Sequence, residues 1–140
     1  MTKGIVIGDA DSLIALFLEN DANNKRAQNI LAKLNKAETA IIYPNTAIAE
    51  SITTVLRKHS NPELAGYLAK QYRENIFRVE YVNEGIMRLA VGLFNPKSSK
   101  KNTFFDAIVA ATAKSLNADA IFSFDSWYEK VGFKLALDLG

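Results

Sequence analysis

Short apolar runs alternate with longer amphipathic segments along the whole chain. The short runs are rich in β-branched and aromatic residues, which is typical of strands buried on both faces of a sheet. They predict strands at residues 5–7, 40–43, 76–79 and 120–124, with a last edge strand at 133–137. In the longer segments apolar residues recur at helical spacing, which predicts helices at residues 12–19, 22–36, 46–58, 63–74, 84–94 and 104–116. This alternation predicts an α/β sandwich with a parallel sheet.

The ends of these segments complete the outline of the fold. Asp11 or Ser12 is expected to cap the first helix, and the polar run at residues 95–102 is the one clear loop. The chain has 140 residues and contains neither an internal repeat nor a linker. A chain of this length predicts one domain, which we assign to residues 1–140.

Composition restricts the chemistry that the chain can carry. It has no cysteine and a single histidine, His59, which excludes a disulfide framework, a thiolate zinc site and a two-histidine acid–base pair. The net charge of 17 − 15 = +2 neither requires nor excludes a polyanionic partner. No apolar stretch approaches the ~20 residues of a membrane span, and the N-terminus has no secretory signal. We therefore expect a cytoplasmic protein without a membrane partner.

Two predicted strands end directly in aspartate. Asp9 follows the run at residues 5–8, and Asp125 follows the run at residues 121–124. Right-handed crossovers bring the carboxyl ends of parallel strands to one edge of the sheet, where ligands bind. Helix capping is the alternative for either aspartate alone, but the pair at matching positions favours a functional site.

Two further acids lie in otherwise small or apolar helical segments. Glu50 stands among alanine and isoleucine, where an unpaired carboxylate is costly to bury; the alternative is a helix position that faces solvent. Asp106 precedes an almost wholly apolar helix that should be buried. Thr103 and Asp106 also have the spacing of a capping box, so a purely structural role stays open for Asp106.

The four carboxylates Asp9, Glu50, Asp106 and Asp125 therefore converge, on this interpretation, at one edge of the sheet. Like charges at one site raise one another's pKa, and a divalent cation would relieve that repulsion. Oxygen ligands without His or Cys select Mg²⁺ or Mn²⁺. Such ions activate water and neutralise charge on phosphates.

Several other residues are candidates for supporting roles near these acids. Three of them would orient a metal ligand or a water: Thr46, Ser123 and Asp11. Capping, or a small polar position at a sheet edge, would also explain them. Trp127 could stack on a base, with packing below the last strand as the alternative. Five cations are candidates for RNA phosphate contacts, with solvated surface positions as the alternative: Lys97, Lys100, Lys101, Arg57 and Lys58.

Four segments, taken in order, resemble the motifs of the PIN-domain ribonucleases. Residues 6–16 read VIGDADSLIAL, similar to an apolar strand, Asp, a polar pair and Leu-Ile-Ala. Residues 46–50 read TAIAE, similar to a helical glutamate after a hydroxyl residue. Residues 105–113 read FDAIVAATA, the closest match, and residues 122–125 read FSFD, similar to a strand that ends in Ser/Thr-x-Asp. Gly132 and Phe133 fit a short return strand.

The resemblance implies a fold and an activity. The fold is a PIN-like three-layer α/β/α sandwich with a central parallel sheet. The activity is Mg²⁺- or Mn²⁺-dependent endonucleolytic cleavage of RNA by a metal-activated water, with Asp9, Glu50, Asp106 and Asp125 as the catalytic and metal-binding residues. Chains of this size resemble VapC-like toxins of toxin–antitoxin pairs, which implies a homodimer and a small cognate antitoxin. Ala10 and Asp11 depart from the usual residues after the first Asp, which bears on metal affinity.

Other functional classes remain as alternatives. The sequence Asp9-Ala10-Asp11 after a strand also resembles the opening of haloacid-dehalogenase-type phosphatases, in which Asp9 would be a covalent nucleophile. That interpretation lacks the late acidic motif and leaves Glu50 unexplained. Receiver domains use a similar acidic pocket but need a lysine where this chain has Asp125. A PIN-like scaffold that binds RNA or protein without cleavage is the non-enzymatic alternative.

Overall fold

A parallel sheet forms the centre of the molecule in the computed structural model, which describes residues 3–97 and 101–139. Its strands within those residues are β1 (Gly4–Gly8), β2 (Thr39–Pro44), β3 (Arg78–Glu80) and β4 (Ala120–Phe122), in the spatial order β3-β2-β1-β4. Every neighbouring pair is parallel. The first and last strands along the chain are therefore hydrogen-bonded neighbours, with Gly8 opposite Phe122.

Helices surround this sheet and account for most of the rest of the described chain. In chain order they are α1 (Ala10–Phe17), α2 (Asn24–Lys36), α3 (Asn45–Arg57), α4 (Pro62–Arg73), α5 (Glu84–Leu93), α6 (Phe104–Ser115) and the short α7 (Trp127–Lys130). The predicted α/β/α sandwich with a parallel sheet is confirmed. The predicted helices are all present, most with ends shifted by one or two residues.

Alternate residues of β1 point to opposite faces of the sheet and enter two different cores. Val6 packs in a cluster with Ala27, Ile30 and Leu34 of α2. Ile7 packs in another cluster, with residues of α6 and with Tyr128 of α7. Helix α6 has seven buried residues in succession, from Ala107 to Ala113, because it lies between the sheet and α5. The central strand is thus covered on both sides, as its continuous apolar sequence predicts.

Two local predictions are wrong. Helix α1 begins at Ala10, and its N-cap is Asp9, whose side chain accepts a hydrogen bond from the backbone N–H of Ala10; Asp11 and Ser12 lie inside the helix. The edge strand predicted at 133–137 is reduced to one parallel bridge between Ile121 and Leu135. A short 3₁₀ helix, Ala136–Asp138, follows at once, because Leu135 and Ala136 bury their side chains against β4 without extending the ladder.

Gly8, the last residue of β1, has a steric role. A Cβ atom at this position would overlap the aromatic ring of Tyr43 on the neighbouring strand β2. Tyr43 is itself buried, with 4% of its surface exposed, so its ring has little freedom to move aside. Glycine therefore allows the strand that leads into Asp9 to lie close against β2.

Within the described residues, none of the helices has the length and apolar character that crossing a membrane requires.

Candidate active site

A cavity of about 290 Å³ lies where β1 and β4 end. Its lining is dominated by carboxylates from distant parts of the sequence, and we call it the acid cavity. Its lining residues are Asp9, Ala10, Asp11, Glu50, Lys101, Thr103, Asp106, Phe124 and Asp125. The structure thus brings the four acids singled out in the sequence, and Asp11 in addition, to one edge of the sheet.

Asp9 is the most deeply buried of these acids, with 5% of its surface exposed. Its position follows from β1, because its backbone N–H donates to the carbonyl oxygen of Phe122 at 3.1 Å. Both carboxylate oxygens accept hydrogen bonds: Oδ1 from the backbone N–H of Ala10 at 2.7 Å, and Oδ2 from the hydroxyl of Tyr128 at 2.6 Å. Asp9 is therefore fixed from both sides.

Asp11 lies inside the cavity, where the sequence suggested a cap or a supporting residue. Its Oδ2 accepts hydrogen bonds from the hydroxyl of Ser123 at 2.9 Å and from the backbone N–H of Phe124 at 2.8 Å. Its Oδ1 is buried without a hydrogen-bond partner among the described residues. Asp11 therefore ties α1 to the segment after β4 and leaves one oxygen unsatisfied.

Ser123 connects two acids, although it does not lie in a strand. The strand predicted at residues 120–124 ends at Phe122, so Ser123 lies just beyond it. The Ser123 hydroxyl donates to Asp11 and accepts from the backbone N–H of Asp125 at 3.0 Å. Its proton is thus engaged with a carboxylate in this structure.

Asp106 and Asp125 meet at the side chain of Asn102. The amide nitrogen Nδ2 of Asn102 donates to Asp125 Oδ2 at 2.9 Å and lies 3.4 Å from Asp106 Oδ2. Asp106 also accepts from the backbone N–H of Thr103 at 2.9 Å, which completes the predicted capping box. The capping role and the place in the cavity are therefore compatible, since both follow from the start of α6. Asp125 Oδ1 accepts from the backbone N–H of Trp127 at 2.9 Å.

Glu50 points from α3 into the same cavity. It is only partly exposed, and its Oε1 is buried with no hydrogen-bond partner among the described residues, so the solvent-facing alternative is wrong. Thr46 lies one turn earlier on α3, but its hydroxyl, also buried without a partner in the described part of the chain, makes no hydrogen bond to Glu50. A supporting role for Thr46 stays a prediction.

Burial, with the charges of neighbouring acids, raises the pKa of four carboxyl groups in the cavity. Burial, followed by the charges of Asp106 and Asp11, raises the pKa of Glu50 to about 7. Burial, opposed by the hydrogen bonds of Phe124 and Ser123, raises the pKa of Asp11 to about 6. The pKa of Asp9 is raised well above its usual range, by burial first and then by the charge of Asp11. Burial also raises the pKa of Asp106.

The donor set of the acid cavity fits a hard divalent cation. It consists of carboxylate oxygens, and Asp11 Oδ1 and Glu50 Oε1 are buried oxygens that a cation would satisfy. In residues 3–97 and 101–139, no three His, Cys, Asp or Glu side chains already adopt the arrangement of a metal site. The chemistry of the cavity therefore suits Mg²⁺ or Mn²⁺, although its side chains are not closed around a common point.

The predicted RNA-binding cations occupy different positions around this edge. Lys101 lines the acid cavity itself. Lys58 lines an adjoining cavity that shares Asp11 and Glu50. Arg57 and Lys97 are exposed, and Lys100 lies outside the described residues. Contact with RNA stays a prediction for all five.

Two residues that contribute to the site, Tyr128 and Asn102, were not identified from the sequence, nor was the contact of Arg26 with Phe124, which lines the cavity. Tyr128, on α7, belongs to the core and also donates a hydrogen bond to Asp9. The sequence offered one signal for it, a tyrosine three residues after Asp125 in a segment that returns under the sheet. Asn102 could have been suspected because it precedes the capping box. Arg26 lies over the ring of Phe124 at 5.0 Å, and nothing in its helix indicates this position, since it depends on how α2 packs.

Fold and site together define an α/β protein with an acid-lined cavity at the carboxyl edge of a parallel sheet. The PIN domain family matches residues 6–134, and the chain therefore belongs to the PIN domain family. The resemblance based on the four motifs is confirmed, and the family match does not support the haloacid-dehalogenase alternative.

Solved structures share this fold at low sequence identity. The chain is similar to the sarcin–ricin loop cleaving toxin VapC20 of Mycobacterium tuberculosis, with 20% identity, a TM-score of 0.78, and coverage of 91% of this chain and 95% of that chain. It is also similar to a chain of a toxin–antitoxin complex from Klebsiella pneumoniae, with 19% identity, a TM-score of 0.54, and coverage of 86% and 87%. A comparison with curated proteins finds no match.

The raised pKa of Glu50 makes a prediction about stability in the absence of metal. The pKa of Glu50 is about 7 in the fold against 4.5 in a free chain, so the fold favours the protonated carboxyl. The stability that this protonation contributes is fully present below about pH 4.5 and is lost as the pH rises through 7. We expect the free energy of unfolding of Glu50→Gln to exceed that of wild type by about 1–2 kcal/mol at pH 8 in EDTA, after allowance for partial exposure. The variant should therefore unfold at a higher temperature. The difference should shrink towards pH 5.

The matched control is Glu63→Gln, since Glu63 lies exposed in the first turn of α4. Thermal unfolding followed by circular dichroism across this pH range should give a Glu63→Gln curve parallel to that of wild type. A Glu50→Gln variant that is less stable than wild type at pH 8 would contradict the raised pKa of Glu50 in the fold.

The hydrogen bond between Tyr128 and Asp9 makes a second prediction. Tyr128→Phe keeps the buried ring but removes the donor to Asp9 Oδ2, and a buried acceptor left without its donor costs about 1–3 kcal/mol. Urea unfolding in EDTA should show a loss of this size. Tyr67→Phe is the control because Tyr67 is 48% exposed, and its change should stay within about 0.5 kcal/mol. Equal stability of Tyr128→Phe and wild type would argue against the bond.

Proposed function

We propose that this PIN-domain protein is a divalent-metal-dependent endoribonuclease. The observation that carries the proposal is the acid cavity, in which carboxylates that follow β1 and β4 lie together with carboxylates of α3 and α6. The pKa values of Asp9, Glu50 and Asp106 are raised there. An assembly of this kind opposes the stability of the fold, so its retention is explained best by a function that uses it. Two buried oxygens without partners support a cation as the ligand.

The residues of the cavity divide the work of such a reaction. Asp9, Asp106, Asp125 and Glu50 would hold Mg²⁺ or Mn²⁺, with Asp11 as a fifth oxygen donor nearby. The bound ion would activate water and offset the charge that develops on the phosphate. Tyr128, Asn102 and Ser123 fix the carboxylates through hydrogen bonds, so that less reorganisation is needed when substrate binds. Lys101, on the cavity wall, would attract the phosphate backbone.

Hydrolysis in this cavity would leave a 5′-phosphate and a 3′-hydroxyl. Water adds to phosphorus in line with the 3′ oxygen, the bond from phosphorus to that oxygen breaks, and the 3′ oxygen gains a proton. Attack by the RNA 2′-hydroxyl commonly relies on histidine as acid and base. The only histidine, His59, lies on the surface. It lines the adjoining cavity and is absent from the lining of the acid cavity.

Two alternatives make different demands on Asp9 and on activity. The family match over residues 6–134 favours a PIN-type site over one in which Asp9 is a covalent nucleophile. A PIN-like scaffold that only binds RNA or protein would have no need of carboxylates at Asp9, Glu50, Asp106 and Asp125. The absence of cleavage with either metal would favour that scaffold.

We further propose that the protein is the toxin of a toxin–antitoxin pair. Both similar structures are described as a toxin or as a toxin–antitoxin complex, which supports this role for a chain of the same fold. A small cognate antitoxin would then bind the protein and block RNA cleavage. The test is whether a short adjacent reading frame encodes a protein that forms a complex with this chain and inhibits it.

The acid cavity makes a direct prediction about activity. Asp9→Asn and Asp106→Asn should each lower RNA cleavage at least about 100-fold, because the carboxylates act as a unit. Asp138→Asn, at an exposed aspartate of the 3₁₀ helix, should stay within about twofold of wild type. End-group mapping of the products, with and without EDTA, checks the chemistry. A 2′,3′-cyclic phosphate, or full activity in EDTA, would contradict the mechanism.

A homodimer is proposed from apolar surface that the domain leaves uncovered. Residues 86–94 and 104–113 carry apolar side chains on more than one helix face. Met87, Val91 and Phe105 are 40%, 64% and 46% exposed. Light scattering at micromolar concentration should give twice the mass of the chain, and Val91→Asp should shift it to the monomer. Ile76→Asp, at a residue 61% exposed elsewhere, is the control. A monomeric wild type would contradict the proposal.

A further inference from the structure

A second cavity, of about 420 Å³, adjoins the acid cavity on the side of α7. We call it the Trp127 cavity. Its lining residues are Leu93, Asn95, Lys101, Asn102, Asp125, Ser126, Trp127, Lys130 and Val131. It shares Lys101 and Asp125 with the acid cavity. Any chain molecule that crosses the acid cavity on this side therefore enters the Trp127 cavity next. Its volume lies within the range of sites that hold small organic groups.

Charge distinguishes the Trp127 cavity from the cavity on the opposite side of the acids. The opposite cavity, of about 270 Å³, has three carboxylates, Asp11, Asp21 and Glu50, against one lysine, Lys58. The Trp127 cavity has two lysines, Lys101 and Lys130, against the single carboxylate of Asp125. A polyanionic strand is thus attracted to the side of Trp127.

Trp127 is held firmly enough to serve as a stacking surface. Its backbone N–H donates to Asp125 Oδ1 at 2.9 Å, and its ring contacts that of Tyr128 at 5.2 Å between centroids, with an angle of 66° between planes. Its side chain is only partly buried and lines the cavity. A base that stacks on an indole gains about 1–3 kcal/mol whatever its identity.

We propose that the Trp127 cavity binds the nucleotide next to the scissile phosphate of single-stranded RNA. The base lies against the indole of Trp127, and Lys130 and Lys101 contact the phosphates that flank it. The inference rests on the proposed nuclease function, since it takes the acid cavity as the point of cleavage. Because stacking accepts any base, this site supplies affinity and register, with little selection of sequence.

The experiment uses the fact that Trp127 is the only tryptophan of the chain. A hexauridylate RNA is titrated into the protein in EDTA, where the proposed cleavage stops, and intrinsic fluorescence is recorded. Stacking on the indole should quench the emission along a saturable curve, and fluorescence anisotropy of a labelled hexauridylate should give the same Kd. Lys130→Ala should weaken binding about threefold or more and lower the salt dependence by about one phosphate contact.

Lys33→Ala is the matched control, since Lys33 lines a cavity with Gly4 and Thr39 at the other end of the strands. It should bind hexauridylate like wild type. Three outcomes would each overturn the inference. They are binding seen by anisotropy without quenching, equal effects of Lys130→Ala and Lys33→Ala, and no binding at all. Cleavage is assayed separately with Mn²⁺: cleavage without quenching refutes only the Trp127 site, and quenching without cleavage refutes only the nuclease.

Discussion

The burial of several carboxylates side by side at one edge of the sheet is the constraint on which the site depends. Burial raises the pKa of Asp9, Asp11, Glu50 and Asp106, and the charges of neighbouring acids add to the effect. The fold offsets this cost with hydrogen-bond donors. The hydroxyl of Tyr128 and the backbone N–H of Ala10 hold Asp9, and further donors from Ser123, Phe124, Asn102 and Thr103 hold other acids. The positions of the carboxylates that accept these hydrogen bonds are therefore set by the fold itself.

The stability that this arrangement requires comes from the apolar layers elsewhere. Strand β1 is covered on both faces, and α6 is buried along most of its length, so the hydrophobic contribution is large and independent of the acids. A site that destabilises its own surroundings can persist on such a scaffold. Packing also sets the residue before Asp9. The strand that leads into this acid lies close against Tyr43, and only glycine at position 8 leaves room for the tyrosine ring.

Sequence patterns predicted those features that depend on strand ends and helix starts. Asp9 and Asp125 could be brought together because parallel strands share an edge, and the capping box at Asp106 follows from local spacing. Features that depend on packing could not be predicted. The hydrogen bonds of Asp11 to residues after β4 join positions more than 110 residues apart in the sequence. In the sequence, Tyr128 cannot be distinguished from an ordinary aromatic residue of the core. The strand expected at 133–137 became a single bridge because burial of Leu135 needs no ladder.

The order of the strands has a consequence for synthesis of the protein on the ribosome. Asp9 and Asp11 emerge well before their partners Tyr128, Ser123 and Phe124, which lie more than 110 residues further along the chain. A nascent chain that lacks β4 and α7 lacks one wall of the acid cavity and the neighbour that pairs with one side of β1. The complete set of carboxylates is thus assembled only after β4 and α7 have been translated. Contacts between residues far apart in the sequence also slow folding. The topology itself therefore delays the appearance of the finished site until both of these elements have left the ribosome.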